Sequence, residues 1–382
     1  MTSIEKTIAQ TFLQMAEGLE TGSFGARPKI ALTGMGSEHG EENAMAAAIN
    51  AAKQGVEVYY IGSLTHPLVT TVKVANDEEG HKKMEELVET GVVDGAVTMH
   101  FPFPIGVSTV GRVVCPANGK EMYIATTTGT SSADRLEGMI KNAVYGIITA
   151  KAAGLTEPTV GILNVDGARQ TEIALNKLKA NGYDFTWATS SRADGGVVMR
   201  GNDVLQGACD VLVTDSLTGN VLIKMMSAYA TGGSYEAVGA GYGPGIGKGY
   251  NKLIHIISRA SGAPLITNAL LYAAQMVKGK VFAVAEKEFA AAEKAGLQAV
   301  LAAHKSVAKP AAEEEVQVPP AEPCTASIAG IEVMDLEDAA KALWKVGIYA
   351  ETGMGCTGPM VMLSEANLAK AMEILKEAGF VG

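Results

Sequence analysis

The strongest candidate nucleophile in this chain is a cysteine enclosed by glycines. Cys356 sits in Thr352-Gly353-Met354-Gly355-Cys356-Thr357-Gly358-Pro359. Its neighbours lack the side chains to bury it, and a glycine turn leaves backbone N–H groups free for an oxyanion. The apolar positions Leu363, Leu368, Met372 and Leu375 that follow predict a helix, which would place the thiol near a helix N-terminus, where partial positive charge favours thiolate. An unperturbed cysteine has a pKa of about 8.5, so such a setting would raise the thiolate fraction and improve sulfur as a leaving group. The plainer reading of an unpaired cysteine is a small apolar filler.

Two other segments carry the equipment for an anion. Cys209 to Lys224 reads as a strand, Val211 to Thr214, that turns abruptly into a helix through Asp215-Ser216-Leu217-Thr218-Gly219-Asn220. Hydroxyls and backbone amides at a helix start bind anions, and Lys224 would add charge by folding back. The competing reading is structural, with Thr218 as N-cap and Asp215 or Asn220 ordering the turn. In Leu253 to Asn268, a strand runs into Ser258-Arg259-Ala260-Ser261-Gly262. A planar guanidinium flanked by serines is suited to gripping phosphate, and open α/β sheets bind ligands at the carboxyl ends of parallel strands. A surface ion-pair role for Arg259 is the alternative.

The remaining motifs are weaker. The glycine-rich stretch Gly239 to Gly249 lacks the order of a Walker motif and reads equally as a phosphate cradle or a flexible gate. Gly34-Met35-Gly36 follows a strand, but Gly40 breaks the dinucleotide spacing and no acidic residue ends the next strand, which argues against NAD. His100 either faces a cleft or is satisfied by a loop carbonyl. The four cysteines (Cys115, Cys209, Cys324, Cys356) are widely spaced without CxxC or Cys/His pairs, so neither a metal site nor a disulfide framework is expected. Free thiols in a cytoplasmic protein follow.

Elements must hold these residues in place. Strand-length apolar runs are read at Lys29 to Thr33, Val56 to Ile61, Gly95 to Met99, Met122 to Thr126, Thr159 to Leu163, Phe185 to Thr189, Val211 to Thr214 and Leu253 to Ile257. They alternate with helices at Glu42 to Gln54, Asp134 to Ala153, Ala168 to Ala180, Gly219 to Ala230 and Ala263 to Val277. This is the pattern of an α/β fold with doubly wound, largely parallel sheets. The chain has 382 residues, 47% hydrophobic and 19% charged, and a net charge of −10. That balance, with no basic run, argues against nucleic acid or an anionic membrane as partner. No signal peptide or membrane span is read.

Four segments are expected. Residues 1–27 form an N-terminal helix and residues 28–302 an α/β core. Residues 303–323, rich in Ala, Pro and Glu, form a linker spanning about 25 Å as a coil or roughly 60 Å fully extended. Residues 324–382 form a small α-rich module carrying Cys356, with helices at Leu336 to Val346 and at its end.

The stretch Ala143 to Gly233 resembles the phosphate acyltransferases of phospholipid synthesis. The likeness is carried by Ala143-Val144-Tyr145, by Leu155-Thr156-Glu157-Pro158-Thr159 with Val160-Gly161-Ile162-Leu163-Asn164, and by Asp210 to Asn220 with Lys224. These enzymes are related to phosphotransacetylases, and the resemblance implies the fold of isocitrate and isopropylmalate dehydrogenases. Ser258-Arg259 is similar to the phosphate grip of phosphotransacetylases. The chain departs from that family at Thr33-Gly34-Met35-Gly36-Ser37-Glu38, at Thr98 to Pro104 and in the appended module. Over its whole length it resembles the alpha subunits of component C of glycine/sarcosine/betaine reductases.

That resemblance implies a reaction. A carboxymethyl group held as a selenoether on selenoprotein component A becomes an acetyl thioester on Cys356, and inorganic phosphate releases acetyl phosphate. Ser258, Arg259, Thr218, Asn220 and Lys224 are the phosphate candidates, and the N–H groups of Thr357 and Gly358 the oxyanion donors. No cofactor bound by this chain is implied. The implied partners are a beta subunit similar to ketoacyl synthase III, component A and component B. The alternatives are a free-standing acyltransferase using coenzyme A or acyl carrier protein, and a non-catalytic scaffold.

Overall fold

Consecutive residues of the first strand are buried on opposite sides, the mark of a sheet covered by helices on both faces. Ile30 and Leu32 belong to a buried cluster with Ala44, Ala48, Leu265 and Leu270, whereas Ala31 belongs to a separate one that includes Ile61 and Met84. The computed structural model describes residues 8, 11, 12, 15, 16, 18, 27–193, 195–307, 316–331, 335–355 and 358–381. The helix expected over residues 1–27 falls mostly outside the described residues; the six described positions between 8 and 18 are helical.

In chain order the first elements are β1 (Lys29–Thr33), α1 (Glu41–Lys53), β2 (Glu57–Gly62), β3 (Thr70–Lys73), α2 (Asp77–Glu89), β4 (Gly95–Thr98), β5 (Val107–Val114) and β6 (Glu121–Thr130). Then come α3 (Arg135–Ala152), β7 (Thr159–Leu163), α4 (Ala168–Ala180), β8 (Thr186–Trp187), β9 (Val198–Met199), α5 (Gly201–Gln206), β10 (Val211–Val213) and α6 (Ser216–Ala228). β11 (Gly243–Ile246), β12 (Ile254–Ile256), α7 (Ala263–Lys278), α8 (Val281–Lys294) and α9 (Leu297–Val307) complete this part. The last elements are β13 (Ala326–Ala329), α10 (Leu336–Lys345), β14 (Ala350–Gly355), β15 (Gly358–Leu363) and α11 (Leu368–Glu377).

The chain divides into two compact units, Met1–Leu163 with Asp184–Ala292, and Asn164–Tyr183 with Glu293–Gly382. The first unit holds a twelve-stranded sheet in the order β3-β2-β1-β4-β12-β11-β5-β6-β10-β7-β8, with β9 also paired to β7. Neighbours are parallel except for β12 with β11, β11 with β5, and β5 with β6. The large, mostly parallel sheet flanked by helices is therefore present. Its antiparallel interruption is built from β5 and β11, neither of which the apolar runs indicate.

β11 corrects the reading of Gly239 to Gly249 as a cradle or gate. Residues 239–247 are buried, with Gly243–Ile246 as strand: the Ala240 N–H donates to the Arg112 carbonyl at 2.9 Å and the Tyr242 N–H to that of Ile256 at 2.9 Å. Gly243 has φ of 82°, and a Cβ there would stand 1.8 Å from the Val110 carbonyl oxygen. The glycine is needed for close backbone approach, and a free loop is not required.

In the second unit β13, β15 and β14 form an antiparallel sheet. Its core is made of Ile328, Leu343, Val361, Leu363 and Leu375 among others. The C-terminal segment is therefore mixed α/β rather than α-rich. Within the same unit, Gln170 Nε2 of α4 donates to Asp335 Oδ2 at 2.6 Å, just before α10. The first residues of the expected linker continue α9 to Val307, residues 308–315 lie outside the described residues, and residues 316–325 form no regular element.

Candidate active site

Parallel pairing sets the position of one cleft. β12 and β4 run side by side with Ile256 opposite Thr98, and the Ile257 N–H donates to the Thr98 carbonyl at 3.0 Å. Two residues beyond this pair the chains leave the sheet as His100 and Ser258. The loop after β1 joins them, because the Glu38 N–H donates to the Arg259 carbonyl at 2.9 Å. This is where open α/β sheets place ligands. Glu38, His100, Asn220, Lys224, Ser258 and Arg259 line a cleft of about 400 Å³, the size of a small-molecule site.

The polar groups are arranged for an anion. The Ser258 hydroxyl oxygen accepts from the Ala260 N–H at 3.1 Å, and the Ser258 N–H donates to Ser261 Oγ at 3.1 Å. The turn is thereby fixed while the Ser258 hydroxyl keeps its proton to donate. Arg259 is exposed. Asn220 Nδ2 donates to the Thr127 carbonyl at 3.0 Å, which ties the start of α6 to β6. Lys224 Nζ lies 3.8 Å from Glu236 Oε1 and is 56% exposed, whereas Glu236 is only 2% exposed. The same Glu236 oxygen accepts from the Tyr242 hydroxyl at 3.4 Å; burial first, then the Glu236 charge, push that phenol well above its ordinary range. Lys224 is more than half exposed and lies at the long end of ion-pair distance from Glu236, so its ammonium can face the cleft while still offsetting that buried carboxylate.

Thr218 is placed elsewhere. It lines a second cleft of about 460 Å³ with Thr126, Thr130, Ser131, Ser132, Arg135 and Asp215, among others. Asp215, not Thr218, is the N-cap of α6: it accepts from the Thr218 N–H at 2.9 Å and the Thr218 hydroxyl at 2.7 Å. Burial alone would raise the Asp215 pKa, but these donors and Arg135, 3.1 Å away, outweigh it and hold the carboxyl below its usual range. Sequence reasoning passed over Ser131, Ser132 and Arg135. The signal was the hydroxyl-rich run Thr126 to Arg135, which leads from β6 into α3 with Asp134 as its N-cap.

Cys356 and Thr357 lie outside the described residues. What flanks them corrects the helix expected directly after the turn. Gly358 opens β15 opposite Gly355, and α11 begins only at Leu368. Val361 and Leu363 are both fully buried with a half-buried residue between them, the period of a strand. The helix-dipole argument for a lowered Cys356 pKa therefore falls. Burial pushes the Cys115 and Cys209 thiols up, Cys209 to about 12, so these two are packing residues. Among the described residues no group of three or more His, Cys, Asp or Glu could hold a metal ion, and no helix is long and apolar enough to cross a membrane.

The family described as "Fatty acid synthesis protein" matches residues 28–362. The chain is 57% identical, over 384 residues and the whole of both chains, to the glycine/sarcosine/betaine reductase complex component C subunit alpha of Peptoclostridium acidaminophilum. It is 27% identical over 240 residues to the phosphate acyltransferase of Thermus thermophilus, covering 53% of this chain and 72% of that one. Among solved structures, a branched-chain phosphotransacylase from Enterococcus faecalis shares 18% identity with a TM-score of 0.45, covering 65% of this chain and 99% of that one. Matched across 28–362 by the family and end to end by a relative at 57% identity, the chain belongs to the fatty acid synthesis protein family, alongside the alpha subunits of component C of glycine/sarcosine/betaine reductase.

Proposed function

We propose that this chain is the subunit of an amino-acid reductase complex in which inorganic phosphate cleaves an acetyl thioester on Cys356 to give acetyl phosphate. The observation that carries the reading is the meeting of Ser258 and Arg259 with Asn220 and Lys224 in one cleft at the carboxyl ends of parallel strands. Arg259 presents a planar fork to two phosphate oxygens, Ser258 donates its hydroxyl, and Lys224 compensates the remaining charge. A phosphate oxygen attacks the thioester carbonyl, the C–O bond forms, the C–S bond breaks, and the thiol is restored. The N–H groups of Thr357 and Gly358 are the proposed donors to the oxyanion.

The name of the full-length relative places that protein in a reductase complex. By extension, the acetyl group here comes from a carboxymethyl selenoether on selenoprotein component A. The other proposed partners are component B and a beta subunit similar to ketoacyl synthase III. The chain itself is proposed to bind no cofactor and to work in the cytoplasm.

Incubating the full-length protein with acetyl phosphate and locating adducts by peptide mass spectrometry tests this. An acetyl group on Cys356 is expected, absent in Cys356→Ser and formed about 100-fold more slowly in Arg259→Gln. No adduct on Cys356 rejects the reading. A second reading, a phosphate acyltransferase using coenzyme A or acyl carrier protein, is favoured by relatives that match about half of this chain. It predicts that Cys356→Ser retains acetyl transfer from acetyl phosphate to coenzyme A.

A further inference from the structure

We propose that His100 is the proton carrier of the phosphate cleft, with His81 and Asp77 as positioning residues behind it; the proposal rests on the phosphorolysis reading above. Three observations converge on it. The register of β4 with β12 brings His100 out beside Ser258, and both line the cleft with Arg259 and Lys224. The His81 ring approaches the His100 ring edge-on, with centroids 6.4 Å apart and planes at 81°. Behind it, His81 Nε2 lies 3.7 Å from Asp77 Oδ1, one turn earlier on the same face of α2. The loop after β1 passes beside the part-exposed Asp77: a Cβ on Gly36 would lie 3.4 Å from its Oδ1. The line Asp77, His81, His100 therefore runs from a carboxylate to the cleft.

Phosphorolysis needs a group at this position. Near neutral pH the attacking phosphate carries one O–H, and the departing sulfur leaves as thiolate. As the C–O bond forms, neutral His100 takes the phosphate proton on a ring nitrogen; as the C–S bond breaks, the imidazolium gives that proton to the sulfur. No proton, electron or further reactant is left over. The Asp77 carboxylate, lying beyond His81, adds negative potential that favours the imidazolium while it exists. The other charged groups facing His100 are Glu38 from the loop after β1, Lys224 from α6 and Arg259 after β12.

The test follows Cys356 acetylation by acetyl phosphate in the full-length protein from pH 5 to 9. In the wild type the rate should rise with pH along one limb and then level off. His100→Gln should lower the rate about 100-fold, abolish that limb, and leave inhibition by added phosphate unchanged. Asp77→Asn should move the limb to lower pH, and free imidazole should restore part of the rate to His100→Gly. A His100→Gln rate close to wild type with the limb intact overturns the proposal. So does a loss of rate matched by an equal loss of phosphate inhibition. If Arg259→Gln abolishes phosphate inhibition while His100→Gln behaves as wild type, phosphorolysis stands and His100 falls. If wild-type Cys356 takes no acetyl group, both fall.

Discussion

Replacing His255 with phenylalanine should remove most of the acid sensitivity of the first unit. His255 is fully buried in β12, three residues before Ser258, and neither ring nitrogen has a hydrogen-bond partner. Its ring stands edge-on to Tyr272 with centroids 5.0 Å apart, and Arg112 Cζ sits 4.5 Å from the centre of the same Tyr272 ring. Burial, with the Arg112 charge adding to it, pushes the His255 pKa down to about 3. The unfolded chain titrates near 6.5, so between these values the unfolded state binds the extra proton. Stability contributed by neutral His255 is thus fully present above about 6.5 and is lost as pH falls toward 3. At pH 5 the loss is about 2 kcal/mol relative to pH 7.5, from about 1.4 kcal/mol for each pH unit below 6.5.

Phenylalanine has no proton to gain and keeps an edge for Tyr272. Urea denaturation at pH 7.5 and 5.0, in a Trp344→Phe background so that Trp187 reports on the first unit, measures the effect. Carboxylates that respond to pH do so in both proteins and cancel in the double difference. The wild type should lose about 2 kcal/mol more than His255→Phe between these pH values. Equal losses in the two proteins would refute the buried, neutral imidazole.

Two further changes probe the start of α6. Gly219→Ala should cost about 3 kcal/mol, read by the same denaturation at pH 7.5, because the new Cβ would stand 1.7 Å from the Thr126 carbonyl oxygen, and that clash outweighs the roughly 1 kcal/mol gained in helix propensity. Asp215→Ala should cost about 1–2 kcal/mol through the lost cap, with Asp215→Asn retaining most of the stability; an alanine variant as stable as wild type would argue against the cap.

The sequence made the ends of the site legible, but not their meeting. Ser258 and Arg259 are visible as polar residues just beyond an apolar strand, and Asn220 and Lys224 as polar residues in the helix that follows another. That β4 lies beside β12, bringing His100 to Ser258, is a matter of strand order that local patterns do not encode. β1 and β7 matched their apolar runs because parallel strands buried on both faces are continuously apolar. β3, at the sheet edge and largely exposed, gives no such run. α2 escaped because only Gly80 and Met84 of its thirteen residues are buried. The helix expected after Cys356 was misread because Leu363, the last residue of β15, happens to fall in a helical spacing with Leu368, Met372 and Leu375.

The central claim, that phosphate and a Cys356 thioester exchange an acetyl group, is tested most directly by isotope exchange. Full-length protein is mixed with acetyl phosphate and radiolabelled inorganic phosphate, and label entering acetyl phosphate is counted. Passage of the acetyl group to Cys356 and back predicts label in acetyl phosphate with the wild type, about 100-fold slower labelling with Arg259→Gln, and none above background with Cys356→Ser. Undiminished exchange in Cys356→Ser would contradict it.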